Sequence, residues 1–158
     1  MLVFHGAIMQ FGKLLILLVI LSLFYIANSN GKVNHPKEPW LELCPNNQFC
    51  FKHPKSLTPD NVLSIDSIAG QLNSDNITLS YDLGMYSSQF NEFIQATSEP
   101  IIIDGLHGKF FIEKNKMALV IPQVQGKLRF SMLIKFKNNV DEKQGLTIFK
   151  SITFNLNS

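Results

Sequence analysis

Cysteine and histidine are scarce in this chain, neither sign of charge dominates, and each scarcity removes a class of chemistry. Only two cysteines and four histidines occur in 158 residues. The histidines, His5, His35, His53 and His107, are scattered. None stands three to five residues from another or close to both cysteines, so the ligand spacing of a zinc site is missing. Cys44 and Cys50 are not spaced as CxxC, which argues against catalytic thiol chemistry. Lysine and arginine total 14 against 12 aspartates and glutamates. That balance leaves neither the basic footprint of a nucleic-acid binder nor an acidic disordered tail. The serine elbow G-x-S-x-G does not occur, and the tetrapeptide GLHG at 105–108 lacks the Lys-Ser/Thr ending of a phosphate loop. Neither a cofactor nor a metal is expected.

What is present begins with a leader. Residues 14–26 read LLILLVILSLFYI, preceded by Lys13 and free of acids. Thirteen residues match the apolar core of a signal peptide and fall short of the ~20 that a spanning helix needs. Ala27 and Ser29 occupy the small-residue positions of a cleavage site, and a polar run follows, so cleavage is expected after Ser29. Met9 opens a more ordinary leader than Met1 does, which makes residues 9–29 the Sec-type segment and Met9 a candidate start. The alternative is an uncleaved anchor, because Phe11, Gly12 and Ala27 stretch the apolar run toward spanning length. In that case the chain is a single-pass membrane protein with its domain outside the cytoplasm, and the membrane is touched only by the N-terminal segment. On the favoured reading the product is periplasmic or secreted.

The remaining length leaves room for one domain with a single core. Residues 30–39, NGKVNHPKEP, carry two prolines and no periodicity and read as a flexible lead-in, with a domain over 40–158. In CPNNQFC, Pro45, Asn46 and Asn47 are turn formers able to bring Cys44 and Cys50 together, and an oxidising compartment would join them. Two-residue alternation marks the strands. Ile77, Leu79, Tyr81 and Leu83 fall on one face, with Thr78, Ser80 and Asp82 on the other. Leu128, Phe130, Met132, Ile134 and Phe136 do the same against Arg129, Ser131, Lys135 and Lys137. Shorter apolar runs at 49–52, 101–103, 110–112 and 118–121 are separated by turn signals at Asp104-Gly105 and 114–116, as in an antiparallel meander. Helical spacing is expected over 87–96, capped by Ser87, and over 141–150, and residues 151–154 return to the sheet. The expected class is α+β, an antiparallel sheet flanked by a few short helices.

Four patterns occur in order. Phe49-x-Phe51-x-x-Pro54 comes first, then Ile65-Asp66-Ser67 with Gly70. Tyr81-Asp82-x-Gly84-x-Tyr86-Ser87 follows, and Ile148-x-x-Ser151-Ile152-x-Phe154 closes the series. The series, over about residues 48–155, resembles a group of small exported bacterial proteins whose fold is similar to the PsbP-like α/β/α sandwich, the superfamily of the extrinsic P subunit of photosystem II. The resemblance implies a non-catalytic accessory or binding module and transfers no catalytic residues.

Asp66 and Asp82 invite an acid-pair hypothesis, in which one carboxyl holds a proton and the other stays ionised, or the two share a cation. The structural alternative makes Asp66-Ser67 a turn before a strand at 68–72, and Asp82-x-Gly84 a second turn with positive φ at Gly84. Tyr81 and Tyr86 flank that segment. Ser67 and Ser87 are candidate nucleophiles only if His53 or His107 is folded next to them. Phe111 and Leu133 stand on the polar parity of their strands, and so either meet a covering layer or form an exposed patch. Asn76-Ile77-Thr78 matches the glycan acceptor triplet. The favoured function is an exported accessory or binding domain without catalytic activity, whose partner is an envelope protein or a small ligand. The alternative is a small envelope hydrolase using Ser67 or Ser87, or the pair Asp66 and Asp82.

Overall fold

The computed structural model describes residues 38–155. The leader, its cleavage point at Ser29 and most of the 30–39 lead-in lie outside the described residues. Among the described residues, no helix is long and apolar enough to cross a membrane.

Strand β1 (Trp40–Leu43) leads through a 3-10 turn (Pro45–Asn47) into β2 (Phe49–Pro54). Next come β3 (Thr58–Asp60), β4 (Ile68–Asn73), β5 (Ile77–Gly84), β6 (Thr97–Ile103), β7 (Leu106–Glu113), β8 (Lys116–Gln125) and β9 (Leu128–Phe136). Helix α1 (Glu142–Lys150) and strand β10 (Thr153–Phe154) close the order. All pairings are antiparallel. They build a seven-stranded sheet in the order β3-β4-β5-β9-β8-β7-β6 and a three-stranded sheet in the order β1-β2-β10. Both edge strands of the large sheet contain a proline, Pro59 in β3 and Pro100 in β6. Proline removes a ladder donor and so blunts an edge against pairing with other chains.

The two-residue alternation sets the layers. One face of the large sheet carries Leu72, Leu79, Leu83, Met117, Leu119, Ile121, Phe130, Met132 and Ile134, all at most 4% exposed. The small sheet covers it: Phe49 and Phe51 of β2 are fully buried, and Phe49 meets Phe130 edge-on at 5.0 Å. Tyr81 lies edge-on to both Phe49 and Phe51 at 5.5 Å. Such ring pairs add roughly 0.5–1.5 kcal/mol each beyond the area they bury. Helix α1 seals the same core with Ile148 and Phe149. Its N-cap is Asp141, whose carboxylate accepts from the Gln144 amide at 2.9 Å. Gly145 lets it lie close to β8, since a Cβ there would overlap the Met117 thioether. Ser151 Oγ then ties the chain back to β2 by accepting from Lys52 N at 2.8 Å.

The expectation of several flanking helices is corrected. The fold is mostly antiparallel β, and α1 is the single α-helix among the described residues. Residues 87–96 are a series of turns, not a helix. Phe90 sits at φ 51°, a left-handed conformation that breaks helical geometry. The Ser87 hydroxyl is occupied at the ends of β5 and β9 and does not cap a first turn. The spacing of Phe90 and Phe93 that suggests a helix face is used by this loop to press both rings onto the outer face of the sheet, over Ala118 and Val120.

Cys44 and Cys50 stand at disulfide distance, 2.06 Å between sulfurs, across the β1–β2 connection. Asn46 and Asn47 within that connection adopt φ 48° and 55°, the left-handed region that asparagine tolerates better than most residues. A type I′-like turn with φ 49° at Asp104 and 78° at Gly105 joins β6 to β7, as the Asp-Gly signal predicts. Its Asp104 carboxylate accepts from Phe154 N at 2.8 Å and so links that hairpin to β10.

Candidate functional site

The residues singled out by sequence fall into two environments. Asp66 is exposed in the 61–67 connection, and Ser67 beside it is half-buried. Ser64 Oγ donates to the Ser67 carbonyl at 2.7 Å and lies 2.9 Å from its hydroxyl, so these residues form a local turn before β4. Tyr81, Asp82 and Gly84 belong to β5, Tyr81 on one face and Asp82 and Gly84 on the other, and Tyr86 follows the strand, 81% exposed. Gly84 does not supply a positive φ. It lies in the strand because the Ser67 Cβ occupies the space that a side chain there would need. Tyr81 points into the core, where burial pushes its phenol above the ordinary value of 10.0. Asp82 faces the other way, half-buried, and its Oδ1 is a buried carboxylate oxygen without a hydrogen-bond partner.

The register keeps the two aspartates apart. Ala69 pairs with Asp82 and Ile68 with Leu83, so Asp66 lies beyond the end of the β4–β5 ladder. Ser87 is 1% exposed, and its hydroxyl has three carbonyl oxygens in reach: Asp82 O and Gly84 O at 3.1 Å and Arg129 O at 3.0 Å. A hydroxyl carries one proton, which here serves backbone acceptors that close the end of the β5–β9 pair. Nucleophilic activation requires that proton to be handed to a base, and among the described residues no imidazole contacts the Ser87 hydroxyl. His53 is buried in β2, with Nδ1 2.9 Å from the Pro54 carbonyl oxygen.

A different set of side chains converges on the outer face of the large sheet. Cross-strand pairing aligns Phe111 with Ala118 and Ala118 with Leu133, and aligns Lys109 with Val120. The 87–96 loop covers the centre of this patch: Phe93 lies 5.6 Å from Phe90 and 6.1 Å from Phe111. Phe111 and Leu133 therefore meet a covering layer, made by a loop where helices were expected. Beyond the loop the cover stops, leaving a hollow of about 390 Å³, within the usual size range of ligand pockets.

Phe111, Val120 and Pro122 give this hollow an apolar floor, while Arg129, Lys109, His107 and Gln89 supply its polar groups. Among the described residues no acidic side chain lines it. Arg129 is half-buried and donates from Nη1 to the Ser87 carbonyl at 2.9 Å. With the Gln89 amide turned so that its oxygen faces the guanidinium, that oxygen accepts from Nη1 and Nη2 at 3.1 Å. Lys109 Nζ stands 5.9 Å from the Phe111 ring centroid. Among the described residues no carboxylate pairs with Arg129, although Asp82 is its diagonal neighbour across β5 and β9.

Sequence reasoning reached part of this site. It placed Phe111 on the outer parity, and the same period of two places His107 and Lys109 beside it on β7. The convergence of β7 with Arg129 and Gln89 depends on the register of β7, β8 and β9 and on the path of the loop, which local periodicity does not encode. Among the described residues there is also no group of three or more histidine, cysteine or acidic side chains able to hold a metal ion. No protein-family model, curated protein or solved structure matches the chain.

Proposed function

We propose that this protein is an exported binding module without catalytic activity, and that it binds through the hollow on the outer face of its seven-stranded sheet. One observation carries the reading: a mostly apolar floor meets three basic side chains and an amide at the place where the 87–96 cover ends. Concave sites with an apolar lining and a few fixed polar groups are the usual form of small-ligand pockets. The PsbP-like resemblance, which implies accessory and binding modules, supports the same conclusion. So does Ser87, whose hydroxyl is committed to main-chain carbonyls. The Cys44–Cys50 pair at disulfide distance supports passage through an oxidising compartment.

The test is an NMR screen of the full exported protein, uniformly labelled, against a mixture of small organic fragments. Shifts concentrated on His107, Lys109, Val120 and Arg129 are the expected result. Shifts scattered over the surface, or confined to the 61–67 segment, would remove the hollow from consideration. Export is tested on the same material by intact mass with and without reduction before thiol alkylation. A chain beginning at Asn30 with both thiols blocked until reduced is expected, and a full-length chain with free thiols contradicts it.

A further inference from the structure

Which ligand chemistry suits this hollow follows from its charges. Arg129 carries five N–H groups, and the contacts to the Ser87 carbonyl and the Gln89 amide oxygen use at most three of them. Those contacts fix the plane of the guanidinium without neutralising it, since both acceptors are uncharged. An oriented guanidinium with free N–H groups suits a carboxylate or another planar oxyanion, which it can grip through two parallel hydrogen bonds. Lys109 enlarges the positive field, and His107, two residues away on the same face of β7, adds imidazole nitrogens that can hydrogen-bond. The acids of this face do not cancel it at the hollow. Glu113 is paired in register with Lys116, toward the other end of β7, and Asp82 makes no ion pair with Arg129.

The rest of the hollow excludes a simple anion as the best ligand. Phe111, Val120 and Pro122 present an apolar surface next to the guanidinium. Ile102, 65% exposed on the edge strand and paired in register with His107, extends that surface outward. We infer that the hollow binds a small amphiphilic carboxylate, with its anionic head on Arg129 and Lys109 and its apolar body against Phe111 and Val120. This rests on the reading of the hollow as the binding site, and goes beyond it by naming the ligand class.

Titrations of the full exported protein with sodium octanoate, 1-octanol and inorganic phosphate, followed by the amide and methyl signals of the hollow, test the inference. Octanoate is expected to shift Phe111, Val120 and Arg129 saturably, and to bind about tenfold or more tighter than octanol, because a charge-assisted bond is lost with the carboxylate. Arg129→Gln is expected to weaken octanoate by a similar factor and leave octanol unchanged. Because Arg129 also holds the 87–96 loop, Lys109→Gln is the companion variant; Lys109 is exposed, and a severalfold loss is expected from its substitution. Equal binding of octanoate and octanol, insensitive to both variants, overturns the carboxylate while leaving the hollow as a neutral apolar site. Phosphate binding as tight as octanoate overturns the amphiphile. No shift at the hollow from any of the three probes overturns the binding reading itself.

Discussion

Ser87→Ala separates a structural from a catalytic role for this buried serine. Its hydroxyl reaches three carbonyl oxygens, on Asp82, Gly84 and Arg129, within 3.1 Å, at a position 1% exposed to solvent. Removing it deletes one donated proton and leaves buried acceptors that water cannot reach. A buried polar group left unpaired costs about 1–3 kcal/mol, and the middle of that range is the expected loss. A domain of about 120 residues has an unfolding entropy near 250 cal/mol/K at about 2.1 cal/mol/K per residue. A loss of about 2 kcal/mol then lowers Tm by about 8 °C. Thermal unfolding followed by circular dichroism, paired with urea titration at 25 °C, measures both quantities. Because the same hydroxyl closes the strand ends from which the 87–96 loop departs, ring-current shifts of Phe90 and Phe93 are expected to weaken with it. A Tm within about 1 °C of the parent, with an unchanged loop, would refute the assignment and return Ser87 to the list of candidate nucleophiles.

Replacing Cys44 and Cys50 by serine together opens a loop of only a few residues. The chain-entropy relation then gives a loss of about 2 kcal/mol, so the double variant is expected to remain folded with a lower urea midpoint. Tyr81 ties stability to alkaline pH. Its phenol is raised above 10.0 by burial, so the unfolded chain ionises first. The contribution of the neutral phenol is intact below about pH 10 and is lost as pH rises through the higher folded value. Urea titrations between pH 8 and pH 11 are expected to show a smaller alkaline decline in Tyr81→Phe than in the parent, and identical slopes would contradict this. Leu63 and Ile65 are 100% and 101% exposed. Leu63→Ser with Ile65→Ser is therefore expected to change unfolding free energy by no more than about 0.5 kcal/mol, and a larger loss would show that the 61–67 segment packs in solution.

The legible parts of this fold are those encoded within a single strand. β5 and β9 alternate so regularly that facing and pairing follow from the pattern, and they lie side by side at the centre of the sheet, Leu79 opposite Ile134. The Asp-Gly turn and the helical spacing over 141–150 are equally local. Reading failed where tertiary contacts outweigh local preference. Phe90 and Phe93 have helical spacing, but small residues on the sheet, above all Ala118, make room for rings delivered by a tighter loop with a left-handed residue. Asp82 and Gly84 have the composition of a turn, yet β5 runs straight through them, because Gly84 is needed for close approach to Ser67. β1 and β3 were not anticipated: their four and three residues carry too few alternations to form a pattern, and pairing with β2 and β4 decides their conformation. The hollow was out of reach for a related reason, since its basic groups come from β7 and β9 and its amide from a loop.

Asp82 gives the last test, because it sits beside the cationic site and yet does not neutralise it. The register makes Asp82 the diagonal neighbour of Arg129, a separation that long side chains can bridge. The guanidinium instead turns to the Ser87 carbonyl and the Gln89 amide, and Asp82 Oδ1 is left buried without a donor. Folding alone gives little reason to keep a carboxylate there, since a half-buried charge without a partner costs free energy. Asp82→Asn preserves shape and removes the charge, so it is expected to raise stability by about 1 kcal/mol and Tm by about 4 °C. If the 87–96 loop is what holds Arg129 toward the hollow, the same variant leaves octanoate affinity within about twofold, because no ion pair is broken. A fall in Tm would mean that Asp82 has a stabilising partner in solution. Should that fall be accompanied by tighter octanoate binding, Arg129 is the partner, and the charge of the hollow is set by competition between Asp82 and the ligand for one guanidinium.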